Sequence, residues 1–235
     1  MASCLRETPD GAHGAGAQRG QVKSRQRVRD LAEVYTHERE VHAMLDLIPG
    51  MFPSLHDPAN TDCSFLEPAC GDGNFLVEIL SRKLRCVTPT RFGSGEEFEH
   101  RALRCLTSIY GIDISEDNVD EARERMRTQV ASHVVSHLGT DATTVGFRDA
   151  VDAILQTNII NADALADVAV IEMVEYKSAS VGTFMREWSY PLNPANDQAS
   201  LFSPPVRRDE IPVHYIDLAR QTEPVPADRV KRRAA

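Results

Sequence analysis

The sequence predicts an α/β protein built on a doubly wound, mostly parallel sheet that is incomplete on its C-terminal side. Three observations predict it. Short apolar runs alternate with longer amphipathic stretches from residue 65 to about residue 174, the pattern of successive βαβ units. The run Phe65-Leu66-Glu67-Pro68-Ala69-Cys70-Gly71-Asp72-Gly73-Asn74-Phe75-Leu76 passes from a strand through a two-glycine turn into a helix. Acidic residues close successive apolar runs at Glu67, Asp113 and Asp163.

The elements follow in order. Residues 1–20 are rich in Gly, Ala and polar side chains and read as a disordered tail. Residues 23–48 read as a helix whose face carries Val41, Met44, Leu45 and Ile48, stopped by Pro49, Gly50 and Pro53. Strand 65–67 leads to helix 74–84, with Phe75, Ile79 and Leu80 inward. A Gly/Ser/Pro loop and a helix near 96–106 precede the strand Ser108–Asp113. Ser115 is placed to cap a long helix running to about residue 137, with acidic residues in its first turn where the helix dipole favours them. Helix 147–156 precedes strand 158–160, and the run Val168–Val174 reads as a fourth parallel strand. Beyond residue 178 repeated prolines break the pattern. The expected organisation is therefore a tail over 1–20, a core over 21–178 and an irregular extension over 179–235.

Composition bounds the function. The chain has 235 residues, with 42% hydrophobic and 26% charged residues, ordinary values for a globular protein. A net charge of −9 argues against a surface that coats DNA everywhere, because phosphate binding needs local positive charge. Basic clusters at 19–29 and 229–233 are local exceptions. Five cysteines without a Cys-x-x-Cys pair suit a reducing compartment, and with no apolar span or leader the expectation is cytoplasmic, away from membranes. His37 and His42 are five apart rather than four, so no zinc-protease helix and no metal site is expected.

The glycine run carries the chemistry. Gly71 and Gly73 let backbone approach a ligand closely, and the N-terminus of the next helix turns its free N–H groups to the same place. The spacing is not Gly-x-Gly-x-x-Gly, so a dinucleotide is not the natural guest. An acid ending the second strand can accept ribose hydroxyls, as in dinucleotide sites. Asp163, closing the third apolar run, offers a further carboxylate acceptor there, with Ile114 and Leu165 as apolar faces for a ring.

Glu67-Pro68-Ala69-Cys70-Gly71-Asp72-Gly73-Asn74-Phe75-Leu76 resembles the S-adenosylmethionine (SAM) loop of adenine-specific DNA methyltransferases. The likeness extends to the modification subunits of type I-like restriction–modification systems. Glu33-Val34-Tyr35-Thr36 followed by Met44–Pro49 is similar to the segment that in that family covers the methionine part of SAM, with His37 in place of the usual proline. Ser108–Asp113 resembles the family's ribose-binding strand, and Asn161-Ala162-Asp163-Ala164-Leu165 its adenine-binding turn. The resemblance covers roughly residues 23–167. It implies a Rossmann-like, SAM-dependent methyltransferase fold, with Tyr35, Thr36, Glu67, Pro68, Ala69, Cys70, Gly71, Gly73, Asn74, Asp113, Ile114, Asp163, Ala164 and Leu165 as cofactor-binding positions. It further implies DNA as substrate, DNA-binding surfaces, and a specificity or endonuclease subunit as partner.

One motif departs. The family uses [D/N]-P-P-[Y/F] after the fourth strand to hold the adenine amine and stack on the flipped-out base. This chain reads Val174-Glu175-Tyr176-Lys177 there, so Glu175 and Tyr176 are the candidate catalytic substitutes. Asn193-Pro194-Ala195-Asn196 and Ser203-Pro204-Pro205-Val206 are partial matches that read as turns. A full sheet of this type needs about three more strands, more than the remaining length supplies. Sequence choice on DNA would then come from another chain or from DNA-facing loops. The functional expectation is DNA methylation of the adenine-N6 type, with a SAM-binding pseudoenzyme or accessory subunit, or a methyltransferase on a non-DNA acceptor, as the alternatives.

Overall fold

Three parallel strands lie side by side in chain order: β1 (Phe65–Glu67), β2 (Ile109–Asp113) and β3 (Ile159–Asn161). In this computed structural model the described residues are 36–54, 56–58, 60–139, 143–194 and 207–227. They belong to one unit, Thr36–Ala235. The register sets Glu67 opposite Gly111, Gly111 opposite Ile159 and Asp113 opposite Asn161. Parallel pairing therefore brings the C-terminal ends of all three strands to one edge of the sheet. The Rossmann-like α/β core expected from the sequence is present in these strands and their crossover helices.

Parallel neighbours need long crossovers, and helices supply them. After α1 (Glu38–Leu45), the β1–β2 crossover holds α2 (Asn74–Leu84), α3 (Pro89–Phe92) and α4 (Glu96–Thr107). The β2–β3 crossover holds α5 (Glu116–Leu138) and α6 (Val145–Asn158). On α5, Val119, Ala122, Met126, Val130 and Val134 are buried at spacings of three and four, the inward stripe that fixes its rotation on the core. Helix α1 ends at Leu45, short of the expected Ile48. Val41 and Leu45 are buried whereas Met44 is half exposed, so only half of the expected face packs. The expected tail 1–20, the N-terminal part of that helix and both basic clusters lie outside the described residues.

At the opposite, amino edge of the sheet sits a buried lysine. Lys83 Nζ donates to the carbonyls of Thr61 (2.8 Å) and Cys63 (2.7 Å) and to Ser108 Oγ (2.7 Å), tying together the residues that enter β1 and β2.

The fourth parallel strand expected at 168–174 does not form. Residues 162–172 make turns at the carboxyl edge, and the chain then runs into β4 (Met173–Ser180), the first strand of an antiparallel sheet completed by β5 (Thr183–Ser189), β6 (Arg207–Arg208) and β7 (Val213–His214). Residue 178, the expected end of the core, lies within β4. The physical reason is visible in the packing. Ile171 and Met173 join Tyr110 and Ile112 in a small cluster on one face of the parallel sheet, and the Tyr110 hydroxyl donates to the Val174 carbonyl at 3.0 Å. The segment thus lies over the face of β2 rather than beside β1. The antiparallel sheet is held by a buried ion pair, Arg186 Nε to Asp209 Oδ2 at 2.9 Å, with Asp209 also accepting from the Val225 backbone N–H at 2.9 Å. Among the described residues no helix is long and apolar enough to cross a membrane.

Candidate cofactor site

The loop after β1 is built by two backbone constraints. Cys70 N–H continues the sheet ladder to the Ile112 carbonyl (2.9 Å), and Gly73 N–H closes a turn onto the Cys70 carbonyl (2.9 Å). Gly71 and Gly73 have φ of 53° and 86°, left-handed values that favour glycine. Gly73 is also the point where α2 meets α5: a Cβ there would stand 3.0 Å from the Ala122 Cβ. Within β2, Gly111 opens room for Leu76 and Cys70, since a Cβ at that position would meet Leu76 Cδ1 at 2.7 Å.

Asp113 joins this loop to the second strand. Its Oδ2 accepts from Gly71 N–H at 2.8 Å, and its Oδ1 accepts from Ser115 N–H at 2.9 Å and from Asn118 Nδ2 at 3.3 Å. A carboxylate has about four acceptor positions, so Oδ2 retains room for one more donor, such as a single ribose hydroxyl rather than the pair expected from the sequence. Ser115 sits at the expected N-cap position of α5, but its hydroxyl bonds to the Asp117 carboxylate rather than to a helix N–H.

Glu67 has a different environment. Burial raises its pKa, opposed by the Ala69 backbone N–H at 3.4 Å, and no Lys, Arg or His among the described residues pairs with it. Neighbouring Cys70 reports the same negative field. Burial first, then the charges of Asp113, Glu67 and Asp72, push its thiol up to about 12, which favours the protonated thiol at neutral pH. A ligand that brings positive charge is therefore favoured here, and Pro68, Ala69 and the two glycines add no cation of their own.

Asp163 lies two residues beyond β3. Its Oδ1 accepts from Leu165 N–H (2.8 Å) and Ala166 N–H (3.0 Å), closing a local turn, and these N–H groups, Ala166 first, hold its carboxyl below the usual range. Its Oδ2 makes no hydrogen bond among the described residues and remains an acceptor. The turn is anchored to the second strand, because Ala162 N–H and Asn161 Nδ2 both donate to the Asp113 carbonyl, at 3.1 and 3.0 Å. Ile114 and Leu165, the expected apolar walls, are 57% and 90% exposed, so apolar surface stands open at this edge for a ring to cover. Ala164 is half buried in the cluster behind it.

The structure thus gathers Glu67, the loop 68–74, Asp113, Ile114 and the turn 163–165 at one edge of the sheet. Thr36 joins them, its carbonyl accepting from Asn74 Nδ2 at 3.2 Å. Tyr35 lies outside the described residues. Glu175 and Tyr176 do not join them. Strand β4 carries them away from the carboxyl edge: the Tyr176 hydroxyl bonds to Thr157 Oγ1 at 2.8 Å, next to the start of β3, and its ring packs edge-on against Phe184. Burial pushes that hydroxyl up to about 12. Glu175 points the other way, exposed and paired with Lys177 at 3.2 Å.

A groove of about 240 Å³ between α5 and α6, lined by Val130, Val134, Phe147 and Val151, lies along the C-terminal half of α5. It shares no residue with the carboxyl edge, where the chemistry-bearing groups converge. No group of three or more His, Cys, Asp or Glu among the described residues is arranged to hold a metal ion.

Sequence reasoning missed the contribution of α5. Asn118, Ala122 and Arg125 fall at i, i+4 and i+7, one stripe of the helix. They touch Asp113, Gly73 and Asp72 respectively. The spacing was available in the sequence, but the polar members disguised it as solvent-facing.

Residues 91–189 match a family model described as a methyltransferase domain. The match takes in Asp113 and Asp163 and begins after the glycine loop. No curated protein and no solved structure matches the chain. The matched segment is similar to methyltransferase domains of the SAM-dependent kind, whose cofactor is S-adenosyl-L-methionine. The residues at the carboxyl edge fit that group: a carboxylate without a counter-ion among the described residues, a remaining acceptor position on Asp113, and exposed apolar side chains beside the Asp163 turn.

Proposed function

We propose that this chain is the cofactor-binding part of a DNA methyltransferase of the adenine-N6 type, working in a restriction–modification system. The observation that carries the reading is the bond from Gly71 N–H to Asp113 Oδ2, which fastens the two-glycine turn to the ribose-binding acid. The order of segments, from Thr36 through the Glu67–Leu76 loop to Asp113 and the Asp163 turn, supports the adenine-specific DNA type. SAM supplies a methyl group activated on a sulfonium. Held by Glu67, the loop 68–74, Asp113 and the Asp163 turn, it would offer that methyl to the acceptor nitrogen, with S-adenosylhomocysteine as the leaving group. The residues of this chain orient the cofactor and keep its cationic end among carboxylates. The cluster 19–29 is the proposed phosphate contact, and a specificity or endonuclease subunit the proposed partner.

A second reading is favoured by one observation. Strand β4 turns Tyr176 into the core, so the described residues set neither Glu175 nor Tyr176 beside the glycine loop. An accessory SAM-binding subunit, whose partner supplies the acceptor groups, accommodates that geometry.

Incubation with radiolabelled SAM and mixed genomic DNA separates the readings. Label in N6-methyladenine from the chain alone supports the first. Label only when a partner subunit is added supports the second. Label in protein or small molecules, with none in DNA, overturns the DNA assignment.

A further inference from the structure

We propose that Arg125 is a positioning residue for the cofactor: from α5 it clamps the glycine turn and, through Asn74, the segment at Thr36, so that cofactor affinity is set from outside the loop. The inference rests on the SAM-binding reading of the carboxyl edge and extends it to a residue that touches no ligand.

The geometry is a two-pronged grip. Arg125 Nη1 donates to the Asp72 carbonyl at 2.6 Å and stands 2.9 Å from the Asp72 carboxylate. Its Nη2 donates to Asn74 Oδ1 at 2.8 Å. Asn74 spends its own Nδ2 on the Thr36 carbonyl at 3.2 Å. One guanidinium therefore fixes the residue between the two glycines and the first residue of α2, and the amide relays that hold to the chain 38 positions earlier. The planar fork of arginine matches this task, because two acceptors in different directions must be met at once; a lysine ammonium is a point charge without that fork.

The surroundings show why the loop needs an external hold. Both glycines that flank Asp72 carry left-handed φ, which an unpaired chain would not keep to one conformation. The Asp72 side chain is 6% exposed, and a carboxylate so buried is tolerated when a cation neutralises it. Arg125 pairs with Asp72, while no cation among the described residues pairs with Glu67, so Glu67 is the carboxylate left for a cationic ligand. Ala122 lies one turn before Arg125, under Gly73, and Asn118 one turn earlier, on Asp113. The stripe meets the turn directly at Asp72 and Gly73, and reaches Gly71 through Asp113.

The test is calorimetric titration of SAM into the full chain and three variants, each at a temperature well below its own unfolding. Arg125→Lys keeps the charge for Asp72 and loses the fork. It should leave the unfolding temperature near the parent value and weaken SAM about tenfold, the worth of one charge-assisted hydrogen bond. Asn74→Asp keeps an acceptor for Arg125 and deletes the donor to Thr36, and should weaken SAM by a smaller factor. In Arg125→Ala, millimolar guanidinium should restore binding in a saturable way, an outcome that a general packing role would not produce. Parent-like affinity in Arg125→Lys, or no recovery of a folded Arg125→Ala with guanidinium, overturns the assignment of Arg125. Failure of the parent itself to bind SAM overturns instead the reading on which it rests.

Discussion

Replacing Gly73 by alanine should be among the most damaging single-methyl changes in the molecule, and the structure says how the cost divides. The residue has φ of 86°, where an L side chain costs about 1–2 kcal/mol. The new Cβ would also stand 3.0 Å from the Ala122 Cβ and 3.2 Å from its Cα, on a helix whose Val119, Ala122 and Met126 are fully buried and cannot retreat. Overpacking of that kind costs about 1–3 kcal/mol. Urea unfolding should therefore show Gly73→Ala less stable by about 2–5 kcal/mol. Ala122→Gly alone should cost about 1 kcal/mol in helix propensity. The double variant should recover the steric part but not the backbone part, so the coupling between the two sites should be about 1–3 kcal/mol in the stabilising direction. A loss below about 1 kcal/mol in Gly73→Ala, or additive effects of the two substitutions, would refute the claim that α2 and α5 meet through this glycine.

Further outcomes follow from the same geometry. Asp113→Ala should weaken SAM by about ten- to a hundredfold in calorimetry, since the carboxylate that holds Gly71 and Ser115 is also the proposed acceptor for the ribose. Tyr176→Phe should lose about 1 kcal/mol of stability through the Thr157 bond while leaving SAM affinity at the parent value; a loss of cofactor binding would contradict its placement at the amino edge. His100 is 3% exposed, and burial, with help from Arg104 and Arg101, pushes its pKa down to about 4. The unfolded chain then binds a proton near pH 6.5 that the folded chain refuses until about pH 4, so stability falls as pH drops through that window. Relative to His100→Gln, the parent should lose about 3 kcal/mol between those limits, and parallel pH profiles for the two proteins would contradict it.

The parallel core and the gathering of acids and glycines at its carboxyl edge were legible because their signals are local. A strand, two glycines and a helix start occur within the twelve residues from Phe65 to Leu76, and the helix from Glu116 to Leu138 begins directly after Ser115 with acidic residues in its first turn. The antiparallel sheet was not legible for a physical reason. Along β5 the inward positions are Phe184, Arg186 and Trp188, and the arginine breaks the apolar alternation that marks a strand. Its burial depends on Asp209, 23 residues later, a partner that no local pattern announces. The run Val168–Val174 misled in the opposite way. Its apolar residues are real, but Val170 is exposed while Ile171 and Met173 pack on Tyr110 and Ile112, so the hydrophobicity serves a crossing over the sheet and not a place within it. Register within the site was equally hidden: that Asp113 spends acceptor positions on Gly71 and Ser115, and that Asp163 spends one oxygen on its own turn, depends on backbone placement rather than on residue type.

The most direct test is the crystal structure of the chain grown with S-adenosyl-L-methionine. The account predicts the ribose at Asp113 Oδ2, the adenine between Ile114 and the Asp163 turn, and the methionine portion running past Glu67 toward Thr36. Cofactor density in the groove between α5 and α6, or at a surface that leaves Glu67 and Asp113 untouched, would contradict it.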